Sequence, residues 1–249
     1  MKYMGSKSKY AEELLDAIEK EVHHNIYTYE NYVEPFVGGA NMIDKTEKYN
    51  AFKRMKRIGN DINVHLVNMF QSLQKGWTPP DTINEKEYKQ LMTKSDIHLG
   101  SLESPLIGFV GIGCSYSGKW FGGYARGKDN KGNERNYCLE SKKNVLKQAE
   151  NLKEIIFISG DYKDLFRNII RKSVIYCDPP YKGSTGYRNY FDHQEFWNWC
   201  NNMVSRGHKV FVSEYSAPED WRCIWQKEVN SSLTKDTGSK KAVEKLFTK

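Results

Sequence analysis

The chain has little with which to hold a metal or enter a bilayer. Its five cysteines, Cys114, Cys138, Cys177, Cys200 and Cys223, stand singly, without a Cys-x-x-Cys pair or a histidine at zinc-ligand spacing. That spacing argues against a zinc site and for a reducing compartment. No run approaches the roughly 20 apolar residues that span a membrane, and Met1 to Lys7 lack the apolar core of a secretion signal. The expectation is a cytoplasmic protein with no membrane segment and no metal. A full G-x-G-x-x-G is also missing, which argues against a fingerprint for binding pyrophosphate. There is no internal repeat and no low-complexity tract.

What is present fits a folded α/β protein. A hydrophobic fraction of 39% is enough for a core, and 249 residues hold one catalytic-sized domain with a modest insertion. Lys and Arg number 38 against 31 Asp and Glu, a formal charge of +7 that attracts a polyanion such as a phosphate backbone. Short β-rich runs at Tyr32 to Phe36, Arg57 to Asn60, Ile155 to Ser159, Val174 to Cys177 and Lys209 to Ser213 end in loop chemistry. Helical patterns at Tyr10 to Val22, Ile62 to Leu73, Lys142 to Leu152 and Gln194 to Val204 alternate with several of them. The alternation predicts a doubly wound, mostly parallel sheet, whose ligands sit beyond the carboxyl ends of the strands. Residues 77–140 interrupt it and are expected to form a largely helical inserted subdomain, leaving 1–76 and 141–249 as the main domain.

The polar motifs fall at the expected strand ends. Asp178-Pro179-Pro180-Tyr181 follows the apolar run ending at Cys177. Two prolines fix φ and remove two donors, so the Asp178 carboxylate and the Pro179 carbonyl become rigid acceptors. Together they suit the two N–H bonds of an exocyclic amine, and the Tyr181 ring can stack on the heterocycle that bears it. Acceptors fixed there favour attack by a nitrogen whose lone pair is otherwise delocalised. As a polar residue at the ligand end of a strand, Asp178 is expected to contribute little to the core.

Glu34-Pro35-Phe36-Val37-Gly38-Gly39-Ala40 is a strand running into a Gly-rich turn, suited to a nucleoside without phosphates. Asp61, about twenty residues later, is placed either to hold a ribose diol or to cap a helix. Asp161 and Tyr162 follow another strand and meet a nucleobase or, in the plainer reading, start a helix. Tyr3 and Lys7 offer a ring and a cation near the amino end, against the alternative of a solvated helix start. Between Lys119 and Lys147, basic residues interleave with aromatics, which suits phosphate contact and base stacking or a solvated loop packed by its own rings.

Taken in this order the motifs resemble the Dam-type family of DNA adenine-N6 methyltransferases over nearly the whole chain. The family carries a Lys-aromatic-x-Gly-x-Lys segment, here Lys2 to Lys7, an acidic-Pro-Phe-x-Gly turn, an Asp-Ile-Asn segment at Asp61 to Asn63, a recognition insertion and then Asp-Pro-Pro-Tyr. The resemblance implies a class I methyltransferase fold, Rossmann-like, that uses S-adenosylmethionine and acts on double-stranded DNA. It implies catalysis on a flipped adenine by Asp178, Pro179, Pro180 and Tyr181. It also implies cofactor contacts at Tyr3, Lys7, Glu34, Phe36, Gly38, Asp61, Asp161, Tyr162 and Asp178. DNA contacts are expected at Tyr116, Lys119, Trp120, Tyr124, Arg126, Arg135, Tyr187 and Arg188. The segment Lys240 to Leu246 is similar to the family's basic C-terminal tail. Ala40 stands where many members have a further glycine, and the segment from Cys114 to Arg126 departs from GATC-specific members. The same acceptors also suit cytosine N4 or an RNA adenine, and a non-catalytic DNA-binding relative is the alternative outside catalysis.

Overall fold

The computed structural model describes residues 1–96, 104–167, 171–182, 191–231 and 240–249. In chain order these form α1 (Ala11–Val22), β1 (Asn31–Glu34), α2 (Asn50–Lys53), β2 (Lys56–Asp61), α3 (Val64–Gln74), α4 (Glu85–Lys94) and α5 (Ser104–Gly113). Then follow α6 (Tyr137–Leu152), β3 (Ile156–Ser159), α7 (Tyr162–Leu165), β4 (Ser173–Cys177), α8 (His193–Ser205), β5 (Lys209–Glu214), β6 (Arg222–Ser231) and β7 (Lys240–Thr248). Three short 3-10 turns intervene.

The seven strands make one sheet in the order β3-β2-β1-β4-β5-β7-β6. The first five run parallel, while β7 is antiparallel to both β5 and β6. The expected doubly wound, mostly parallel sheet is therefore present. Central strands of such a sheet must be apolar on both faces, and β1 and β4 are buried along their whole length. Tyr32, Val174 and Tyr176 enter the core that holds α1, α3, α5 and α6, whereas Val33, Ile175 and Cys177 enter the core against α8. This is the period-two alternation of a strand serving two layers. On the outer strand β3, Ile156 and Ile158 stay 39% and 38% exposed.

The stretch expected to be a basic tail is the strand β7, inserted between β5 and β6. Its lysines conceal Glu244, Leu246, Phe247 and Thr248, all buried, with Leu246 joining one core and Phe247 the other. Residues 77–136 contain α4, with an Asn84–Glu87 capping box, and α5, which is apolar on every side. The α5 helix crosses α3 so closely that a Cβ at Gly108 would stand 2.2 Å from the His65 carbonyl oxygen. No side chain fits there, so the crossing requires glycine. A turn over 116–124 and a hairpin bridged at Lys128 and Glu134 complete this region. Among the described residues no helix is long and apolar enough to cross a membrane.

Candidate active site

The carboxyl ends of β1, β2, β4 and β5 open into one cavity of about 330 Å³, the size of a small-ligand pocket. All twelve residues that the sequence assigned to catalysis or to the cofactor line it: Tyr3, Lys7, Glu34, Phe36, Gly38, Asp61, Asp161, Tyr162, Asp178, Pro179, Pro180 and Tyr181.

Asp178 leaves β4 with its carboxylate 3.0 Å from the Lys7 ammonium, which also lies 3.7 Å from Glu244 on β7. Lys7 is almost fully buried, while Asp178 keeps 23% of its side chain exposed. Burial pulls the Lys7 pKa down, but the Asp178 and Glu244 carboxylates outweigh it and hold the pKa above the ordinary lysine value. Burial raises the Asp178 pKa, against the opposing pull of Lys7. Asp178 is thus half of a nearly buried ion pair and, as expected of a polar residue at a strand end, joins neither hydrophobic core. The Tyr181 hydroxyl donates to Glu244 at 2.7 Å, and the Lys7 ammonium sits 4.6 Å from the centre of the Tyr181 ring.

The Gly-rich turn is closed by Asp61, whose Oδ2 accepts the Gly38 N–H at 2.9 Å and whose Oδ1 accepts the Asn63 N–H at 2.9 Å. Burial still raises its pKa. The N-cap of α3 is Asn63, which accepts from His65 and Leu66. Of the two readings of Asp61, helix cap is therefore excluded. Asp161 does cap α7 by accepting the Lys163 N–H at 2.9 Å. Ala40 has φ of 54°, the left-handed region that glycine adopts without strain. Phe36, Tyr162 and Phe191 form an aromatic wall, with centroids 5.1 to 6.0 Å apart. Glu34 is buried and bonded by the Tyr32 hydroxyl at 3.0 Å, and burial pushes its pKa well above the carboxylate range.

Among the described residues the lining carries seven carboxyl side chains, at Glu34, Asp61, Asp161, Asp178, Asp192, Glu195 and Glu244, against two lysines, Lys7 and Lys163. Both lysines are already paired, Lys163 with Glu195. Such a donor set repels a pyrophosphate and suits a cationic nucleoside.

Sequence reasoning missed Glu244, Tyr215, Asp192 and Glu195, whereas Phe191 ends the segment from Tyr187 that it expected to close over the target base. Tyr215 follows β5 directly, and the rule that ligands gather at strand ends would have found it. Glu244 lay hidden in the lysine-rich stretch. Of the residues assigned to DNA, Tyr116 is 68% exposed, and Lys119, Arg126 and Arg135 are exposed. Arg126 is paired with Glu85, and Arg135 with Glu140 at 2.6 Å. Trp120 and Tyr124 are partly buried. Trp120 stacks on His65 with centroids 6.3 Å apart, and the Tyr124 hydroxyl donates to the Ile83 carbonyl at 2.7 Å. Tyr187 and Arg188 lie outside the described residues.

The sheet order, with an antiparallel β7 wedged between β5 and β6, is that of a class I methyltransferase. A family model described as D12 class N6 adenine-specific DNA methyltransferase matches residues 3–97 and 122–241, and the chain belongs to that family. Two curated relatives, each a DNA adenine methylase from a strain of Vibrio cholerae serotype O1, are 27% identical over 187 residues, 66% of this chain. The chain spans 61% of the length of those relatives. Among solved structures, the rRNA methyltransferase aviRa from Streptomyces viridochromogenes superposes with a TM-score of 0.44 at 10% identity, over 98% of this chain and 85% of that one. TrmN from Thermus thermophilus gives 0.36 at 10% identity, over 93% of this chain and 48% of that one.

Proposed function

We propose that this protein transfers the methyl group of S-adenosylmethionine to the N6 amine of an adenine flipped out of double-stranded DNA. The observation that carries the reading is the placement of Asp178-Pro179-Pro180-Tyr181 at the mouth of a carboxylate-rich cavity, in a chain of the adenine-specific family. When bound, S-adenosylmethionine supplies an electrophilic methyl on a sulfonium, and the excess of carboxylates fits that positive charge. Asp61 is placed for the ribose hydroxyls, with lone pairs left on both oxygens after the Gly38 and Asn63 bonds. The wall of Phe36, Tyr162 and Phe191 suits the cofactor's adenine ring.

At the target, Asp178 and the Pro179 carbonyl accept the two N–H bonds of the amine. That pairing orients the nitrogen lone pair toward the methyl group and stabilises the positive charge that develops on nitrogen, which is discharged when the amine then gives up one of its two protons. Lys7 holds the Asp178 carboxylate in place. Residues 1–76 and 141–249 form the catalytic domain in this reading. Residues 77–140 form the target-recognition subdomain, meeting phosphates through Lys119, Arg126 and Arg135, with Tyr116 exposed beside them. Trp120 and Tyr124 hold the shape of its turn.

The test is incubation with tritiated S-adenosylmethionine and unmethylated double-stranded DNA, then digestion and mass spectrometry of the nucleosides. N6-methyladenine is the expected product. Label on cytosine N4, label only on an RNA substrate, or no label would each refute the reading.

A further inference from the structure

Cys114 directly follows α5 and Cys138 lies in the first turn of α6, so the two bracket residues 115–137. That segment holds every described residue assigned above to DNA. The helices bring the two thiols together: Ser141, one turn after Cys138, donates to the Gly113 carbonyl at 2.6 Å, and the Cys114 and Cys138 side chains are hydrogen-bonded to each other. Both are buried in the same core, and the Cys138 thiol also donates to the Pro80 carbonyl at 3.3 Å.

The two sulfurs are not equivalent. The bond from Cys114 draws the Cys138 pKa down against burial, with Lys142 assisting and Asp81 and Glu87 opposing, and the same bond raises the Cys114 pKa. Cys138 is the second residue of a 16-residue helix, whose amino end favours an anion. Cys177 and Cys200 are also in contact, but burial pushes the Cys177 thiol well above its ordinary value.

We propose that Cys114 and Cys138 are a modification site, a dithiol that hydrogen peroxide oxidises to a disulfide across the base of the recognition segment, weakening DNA binding. The Cys138 thiolate attacks one peroxide oxygen; an S–O bond forms, the O–O bond breaks, and the departing hydroxide takes a proton to become water. Cys114 then gives up its proton and attacks the sulfenic sulfur, forming S–S while the S–O bond breaks and a second water leaves. Two thiols and one peroxide become one disulfide and two waters. In a reducing compartment such a bond is transient.

The effect on DNA rests on the recognition role proposed above for residues 77–140. A disulfide holds its sulfurs about 2 Å apart, closer than any hydrogen-bonded pair. Ser141 already abuts the backbone at Gly113, where a Cβ would stand 3.0 Å from its own, so α5 and α6 cannot approach further. The adjustment falls on the residues that follow Cys114. These open the 116–124 turn, which Ser115 anchors through its bonds with the Tyr88 hydroxyl and the Gly111 carbonyl, each 2.8 Å.

The experiment treats the full chain with hydrogen peroxide, removes the oxidant with catalase, alkylates the remaining thiols in denaturant and maps the peptides without reduction. The expected result is an intact mass about 2 Da lower before alkylation and a Cys114–Cys138 linked peptide, both reversed by dithiothreitol. Duplex DNA affinity of the oxidised protein should fall about fivefold or more and return on reduction. Cys114→Ala and Cys138→Ala, checked by thermal melting, should keep their DNA affinity under peroxide. Absence of the link, a link at Cys177–Cys200 in its place, or sulfinic acid at Cys138 without a link overturns the site. A mapped link with unchanged DNA affinity overturns the consequence. Reduced protein that binds no DNA overturns the recognition reading and the consequence drawn from it, while the peptide map still decides the site.

Discussion

Lys7 and Asp178 are 171 positions apart in sequence and 3.0 Å apart in space. Removing one member of a largely buried pair leaves the other desolvated and uncompensated. Lys7→Met, which sets Asp178 beside Glu244 without a cation, is expected to destabilise the fold by about 3 kcal/mol, a fall in Tm of roughly 6–10 °C for a chain of this size. Calorimetry checks the first quantity and scanning melts the second.

Asp178→Ala strands the Lys7 ammonium with Glu244 alone. It should lower the single-turnover transfer rate by on the order of 10²- to 10³-fold and also lower Tm. DNA affinity through the basic insertion should persist in a binding titration. Transfer near the wild-type rate would sink the proposed mechanism.

The 2.7 Å bond from Tyr181 to Glu244 is testable by a double-mutant cycle. Tyr181→Phe and Glu244→Gln should each destabilise the protein. Their combination should fall short of the sum by about 1–2 kcal/mol, the scale of a hydrogen bond to a charged acceptor. Additivity in urea melts would mean that the contact carries no coupling.

Exposed cations of the insertion should act through phosphates. Lys119→Ala is expected to weaken DNA binding across sequences and to reduce the slope of log affinity against log salt by about one. Arg126→Ala and Arg135→Ala should do less in proportion to how tightly Glu85 and Glu140 retain them. Filter binding over a salt series separates these outcomes.

Burial raises the Glu214 pKa from 4.5 to about 7. The folded state therefore holds a proton that the unfolded chain has already released between those values. Stability contributed by the protonated form is present below pH 4.5 and lost as pH rises through about 7, by at most about 3 kcal/mol. His208, buried with its pKa lowered to about 4, acts with the opposite sign between pH 4 and 6.5. The stability of wild type minus that of Glu214→Gln, measured from pH 4.5 to 8, cancels the His208 contribution and should decline with pH.

Five strands and four helices were legible because their apolar spacing is local: the run ending at Cys177 and the turn at Gly38 carry their own signals. The order of the motifs made the cavity legible as well. What the sequence hid depends on contacts between distant residues. Nothing near Lys7 announces Asp178 or Glu244, and β7 reads as a charged tail because its partners β5 and β6, rather than its own residues, decide which side is inside. Asn63 caps α3 two residues later than the candidate Asp61, a choice set by where the strand stops. Nothing near Trp120 announces its packing against His65 in α3.

The turn at Gly118 ties the insertion to the amino-terminal segment. Its carbonyl accepts the Met4 N–H at 3.1 Å, and a Cβ at this position, whose φ is +69°, would lie 3.0 Å from the Tyr3 backbone. Tyr3 in turn packs over Gly38 and Gly39. Under the proposed reading of residues 77–140 as the recognition subdomain, grafting a foreign module there would replace a piece of the wall that shapes Tyr3. A graft that omits a glycine with this backbone geometry carries its own DNA preference into a host whose amino-terminal segment no longer seats. The junctions that preserve the host are those that leave 116–124 in place and exchange only the hairpin beyond it.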